Sequence, residues 1–133
     1  MRLRKVLFGS VYVASFILSL QGIAFFARSA FSLVGICNEA GPFGWPLPFS
    51  LLTVGFLMAS SFFLVCWWQE TDMMSSFFWL LLLAAGGGNF VERLSFGCIF
   101  DYLSFGPFPS FNVADVLLTV SVVFLGWRGI RKI

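Results

Sequence analysis

The chain of 133 residues is 59% hydrophobic and only 11% charged, which leaves too few polar side chains to cover a soluble domain of that size. Its mean hydropathy of +0.96, 19 Phe and 5 Trp place it in a bilayer, where aromatic rings pack against acyl chains and Trp favours the headgroup level. A net charge of +2 with no histidine gives no reason to expect a nucleic-acid partner, and it excludes Ser-His and Cys-His nucleophiles and His-rich metal sites.

A helix needs about 20 apolar residues to cross the hydrocarbon core, and four stretches qualify. The first, Val6 to Phe26, follows Arg2, Arg4 and Lys5. It has no small-x-small cleavage site leading into a polar mature domain, so it reads as a retained span. The second runs from Leu47 to Trp68, and Gln69 to Met74, with Glu70 and Asp72, connects it to the third, Ser75 to about Leu94. That third span holds Ala84, Ala85, Gly86, Gly87 and Gly88 in a row, a composition that lets helix backbones approach closely in lipid. The fourth runs from Asn112 to about Ile130, and Arg128, Arg131 and Lys132 end the chain. Only Arg28 and Arg93 lie between the two basic clusters, so an even number of spans puts both termini in the cytoplasm. The stretches Ala27 to Pro46 and Ser95 to Phe111 then lie outside. They are apolar (Phe31, Leu33, Val34, Ile36, Phe96, Ile99, Phe100, Tyr102, Leu103 and Phe105), which suits short strands or an amphipathic helix at the interface. The expected fold is an all-α membrane protein of four transmembrane helices with a small extracytoplasmic segment able to hold strands, one domain over residues 1–133.

Three cysteines, Cys37, Cys66 and Cys98, have neither CxxC spacing nor an even count, so they imply no disulfide framework or zinc site. A Cys37–Cys98 pairing stays open. A Ser-Lys dyad is excluded as well, because Lys5 and Lys132 sit at the cytoplasmic ends. Gly86 to Gly88 lacks the Lys-Ser or Lys-Thr of a phosphate loop.

What remains is a set of polar groups at the outer ends of the spans: Asn38, Glu39, Asn89, Glu92, Arg93, Asp101, Asn112 and Asp115. An ionisable group costs about 2.5 to 3.5 kcal/mol at the centre of a spanning helix and less toward the interface, so their gathering at one level asks for a reason. Asn112 with Asp115 three residues on also reads as a plain helix N-cap. Arg93 suits a helix C-terminus, and Asp101 by itself reads as a solvated loop acid. Glu92 is harder to dismiss, since a carboxylate near a helix C-terminus faces the wrong end of the dipole and needs a cation or donor nearby.

Gly86-Gly-Gly88-Asn89-Phe-Val-Glu92-Arg93, then Phe100-Asp101-Tyr-Leu-Ser-Phe, then Pro109-Ser-Phe111-Asn112-Val-Ala114-Asp115 resembles the lipoprotein signal peptidase (signal peptidase II) family. That family's pattern is roughly GNxxDR, a VDF-like segment, and FNxAD opening the last span. Upstream, Asn38, Phe43 and Gly44 match its NxGxAFG-type loop. The likeness covers most of the chain and marks a divergent member: Glu92 stands where the family has Asp, and Leu20-Gln21 through Ala24 stands where Asp-Gln followed by Lys is usual.

The resemblance implies an intramembrane aspartic endopeptidase in the bacterial cytoplasmic (inner) membrane, with its active site near the outer face. Asp101 and Asp115 would be the catalytic pair, Asn38 and Arg93 would contact the substrate backbone, and Asn89, Glu92 and Asn112 would support the site. The implied substrate is a diacylglyceryl-modified prolipoprotein, cut just before its lipidated cysteine, and the implied inhibitor is a globomycin-type peptide. Two carboxylates held close cannot both ionise cheaply, so one serves as acid and the other as base, with no cofactor or metal. The chain is expected to work as a monomer among membrane lipids. The alternative is a catalytically inactive relative that binds lipoprotein precursors or assists membrane assembly; the first-span departures favour it. A four-span proton-coupled transporter ranks below both, because it would need an acid deep in a span.

Overall fold

The computed structural model describes residues 2–32, 34–41 and 45–131; Leu33, Phe43, Gly44 and Lys132 lie outside the described residues. Four helices, α1 (Arg2–Ala30), α2 (Phe49–Gln69), α3 (Met73–Phe96) and α4 (Val113–Ile130), alternate with two short strands, β1 (Ile36–Asn38) after α1 and β2 (Ile99–Asp101) after α3. All four helices are long and apolar enough to cross a membrane, as expected. Helix α1 runs several residues past the expected span at each end, because its flanks, Arg2 to Lys5 and Ala27 to Ala30, continue the helix without a breaker.

Local chemistry sets the helix ends. Asp72 accepts from Ser75 N at 2.8 Å at the start of α3, and Gly97 ends that helix with φ of 75°, a left-handed conformation that suits glycine. Asn112 and Asp115 form a reciprocal capping box at the start of α4, satisfying two of the free N–H groups there. Helix α2 follows Pro48. At its far end Lys5 Nζ donates to the carbonyls of Trp67, Trp68 and Glu70 at 2.9 to 3.2 Å, placing a cation where the helix dipole is negative.

Helix α3 is the axle, in contact with each of the other three, and half of its spanning segment is buried. The small-residue run does the packing expected of it. A Cβ at Gly87 would fall 2.8 Å from Ile17 Cδ1, and one at Gly88 would fall 3.0 Å from Leu20 Cδ1; Ala84 and Ala85 are fully buried. Bulk elsewhere comes from stacked rings: Phe56 on Phe90 at 4.2 Å between α2 and α3, and Phe78 on Phe124 at 3.9 Å between α3 and α4. The other faces are exposed apolar side chains, as lipid contact requires.

At the α3 C-terminus the segments that follow α1 and α3 form a two-stranded antiparallel sheet, with Ile36 opposite Asp101, Cys37 opposite Phe100 and Asn38 opposite Ile99. Cys37 and Cys98 are joined by a disulfide, resolving the pairing left open by their spacing. A further bridge pairs Leu103 with Phe111, so the chain between β2 and α4 folds back toward the bundle.

Candidate active site

Each expected site residue comes from the end of a helix or from the small sheet beside it. Asn89, Glu92 and Arg93 lie in the last two turns of α3, Asn38 ends β1, Asp101 ends β2, and Asn112 and Asp115 open α4. Antiparallel pairing of β1 with β2 carries Asn38 and Asp101 to the mouth of the bundle, where the α4 cap faces α3.

One hydrogen-bond network joins five of these side chains. Asp101 accepts from Asn38 Nδ2 on Oδ2 at 2.9 Å and from Asn112 Nδ2 on Oδ1 at 3.1 Å. Asp115 accepts from Asn89 Nδ2 on Oδ1 at 2.8 Å and from the Asn112 backbone N–H on Oδ2 at 3.0 Å. Asn112 Nδ2 also donates to Asn89 Oδ1 at 3.1 Å, and Asn112 Oδ1 accepts from Asp115 N at 3.1 Å. A single asparagine thus bridges the two aspartates while capping α4. The capping reading holds for it, and the same side chain also donates to Asp101 and Asn89.

Asp101 is 4% exposed, so it is no solvated loop acid. Burial pushes its carboxyl above the usual carboxylate range; donation from Asn38 pulls it down, the Asp115 charge pushes it up, Asn112 pulls it down and Glu92 pushes it up. Burial wins, and Asp101 holds its proton to higher pH than an ordinary aspartate.

Arg93, 8% exposed, donates from its two terminal nitrogens to the carbonyls of Glu39 and Ala40 at 2.9 and 2.8 Å. It fastens the chain just after Asn38. Glu92, 3% exposed, meets the cation it needed: Arg28 Nη2 stands 2.6 Å from its Oε1. The same oxygen accepts from Phe100 N at 3.2 Å. Arg28 was not among the expected site residues, although the demand of Glu92 for a cation was the signal for it. Gln21 was missed too; its Nε2 donates to Gly88 O at 2.9 Å, supporting the turn of α3 before Asn89.

Between α1, α3 and α4 lies a cavity of about 10 Å³ bordered by Gln21, Asn89, Glu92, Tyr102 and Asn112, on the scale of one water molecule. Among the described residues no group of three His, Cys, Asp or Glu side chains is arranged to hold a metal ion. The site presents two carboxyl groups in unequal surroundings, one buried and one half-buried, oriented by three asparagines.

The family model described as signal peptidase (SPase) II matches residues 6–131. A solved bacterial membrane enzyme, determined by the in meso method at 2.3 Å resolution, has the same fold, with a TM-score of 0.72 and 16% identity over 93% of this chain and 88% of that one. No curated protein sequence matches significantly.

Proposed function

Because the chain belongs to the signal peptidase II family, we propose that it releases the signal peptide from diacylglyceryl-modified bacterial prolipoproteins by aspartic chemistry, cutting just before the lipidated cysteine. The observation that carries this reading is the bonded set Asp101–Asn112–Asp115 at the mouth of the bundle. Asp101, buried and raised, keeps the proton. Asp115, half-buried and accepting two N–H bonds, serves as the base that takes a proton from water as the water attacks the scissile carbonyl. Asp101 then supports the developing oxyanion, and its proton is available to the departing amine. Site and lipid-facing helices lie side by side, so the acyl chains of a substrate can stay in the bilayer while the peptide bond reaches the carboxylates.

Two independent features support cytoplasmic termini and a site on the outer face. Basic residues at both ends of the chain favour cytoplasmic termini. The Cys37–Cys98 disulfide beside the site fits an oxidising compartment outside the cytoplasm. Reporters fused at either terminus or between Gln69 and Met74 are expected to read cytoplasmic, and an external signal at either end would put the site on the wrong face. Helix α1, where the sequence departs from the family pattern, is bonded to α3 through Gln21 and Arg28, and cleavage of a lipidated precursor separates an active enzyme from an inactive relative.

A pH profile and an inhibitor test the reading. With Asp101 as the acid, the rate should fall at high pH as Asp101 loses its proton, above the range of an ordinary aspartate. Asn38→Ala removes a donor that favours ionised Asp101, so the alkaline limb should move to higher pH. A limb that stays put or moves down would contradict the assignment of Asp101 as the acid. A globomycin-type cyclic peptide should block cleavage, and full activity at saturating inhibitor would mean that the site differs from the family's.

A further inference from the structure

We infer that Arg28 is a positioning residue for the reaction: its ion pair with Glu92 holds strand β2, and through it the Asp101 carboxyl group, in the working geometry. The inference rests on the proposed function, and its support is the set of contacts made by one guanidinium. Arg28, in the last turn of α1, pairs with Glu92 of α3 at 2.6 Å. Its planar group also lies over the rings of Phe96 and Phe100, 4.1 and 5.0 Å from their centroids. Glu92 Oε1 in turn accepts from the backbone N–H of Phe100, the residue directly before Asp101. The Phe100 ring is in contact with Gly35 on another side, where an added Cβ would run into it. The residue next to Asp101 is therefore held at its backbone by Glu92 and at its ring by Arg28.

Strand β2 needs such an anchor. It is three residues long and pairs with one other strand of three, too little ladder to fix a side chain by itself. The Glu92 charge is almost fully buried, so it can serve as an acceptor for Phe100 only while a cation balances it. Arginine suits the task because one flat group can form the ion pair and stack on rings at once. The length of Glu92 matters as well. Aspartate, shorter by about 1.5 Å, would not span from α3 to both the guanidinium and Phe100 N–H. The resemblance suggests that Glu92→Asp is tolerated, as a return to the family's residue; the contacts predict the opposite in this chain.

The test uses the purified full chain in lipid with a diacylglyceryl-modified precursor, and compares wild type, Asp101→Asn, Arg28→Gln, Arg28→Lys and Glu92→Asp. Turnover is expressed per folded molecule, with thermal unfolding measured alongside. Arg28→Gln and Glu92→Asp should each lower kcat by about tenfold to a hundredfold, the scale of a small misplacement of a catalytic group, with KM changed less than about threefold. Arg28→Lys, which keeps the charge but not the flat fork, should recover part of that loss. If wild type cuts, Asp101→Asn does not, and Arg28→Gln and Glu92→Asp cut at the wild-type kcat per folded molecule, the pair is packing alone and the inference is overturned. A wild-type chain that leaves the precursor uncut overturns the proposed function, and this inference with it. Glu92→Asp keeps both charges, so it tests the geometry even if Arg28→Gln does not accumulate.

Discussion

Replacing either aspartate, Asp101→Asn or Asp115→Asn, is expected to lower cleavage of a lipidated precursor by about three orders of magnitude or more, because general acid and base each contribute on that scale. The double variant should fall no further than the worse single one. Once one carboxylate is gone the two-group mechanism is already broken, and the losses cannot add. The surroundings of the two residues add a detail. Asp101 meets an amide donor at each oxygen, Asn38 on one side and Asn112 on the other, so an asparagine there must turn one N–H₂ toward a donor and satisfies only one neighbour. Some loss of stability should therefore accompany Asp101→Asn, and the rate has to be taken per folded molecule. Normal cleavage by either variant would remove that residue from the mechanism.

Asn112 separates capping from catalysis. Asn112→Asp keeps a good N-cap acceptor for Asp115 N but removes the N–H₂ that reaches Asp101 and Asn89. It also adds a negative charge beside two carboxylates. Thermal stability should change little through the helix end, while activity should fall by about a hundredfold, the cost of a misplaced catalytic group. Asn112→Ala should show that loss of activity together with about 1 kcal/mol of lost stability from the missing cap. Full activity in Asn112→Asp would reduce Asn112 to a cap and leave the two aspartates without the group that links them.

The spans were legible because hydropathy over 20 residues is a collective signal, and the α4 start was legible because an N-cap is local, Asn112 and Asp115 being three residues apart. The motif residues around Asn89, Asp101 and Asp115 were legible as a polar set in an apolar chain. What brings them together was not. Asn38 reaches Asp101 across 63 residues of sequence, and Arg28 reaches Glu92 across 64, distances at which neither helical nor strand periodicity carries information. The disulfide stood in the same position: three cysteines permit several pairings, and only the register of β1 on β2 selects one.

Glu92 lies between these cases. Its place near the C-terminus of α3 called for a cation, and its neighbour Arg93 could not supply it, since successive side chains on a helix do not face each other. Arg28 was then the one other arginine between the basic ends of the chain. The inference was available by elimination, but the second task of Glu92, holding Phe100 N–H, required the strand to be seen in place.

Incubation of the purified protein, reconstituted in lipid, with a diacylglyceryl-modified prolipoprotein tests the central claim most directly, with the products resolved by mass. The expected result is release of the intact signal peptide and a shortened protein whose first residue is the lipidated cysteine, with neither product formed by the Asp101→Asn protein. A precursor left whole by the folded wild-type chain, or cut equally well by the Asp101→Asn protein, would contradict it.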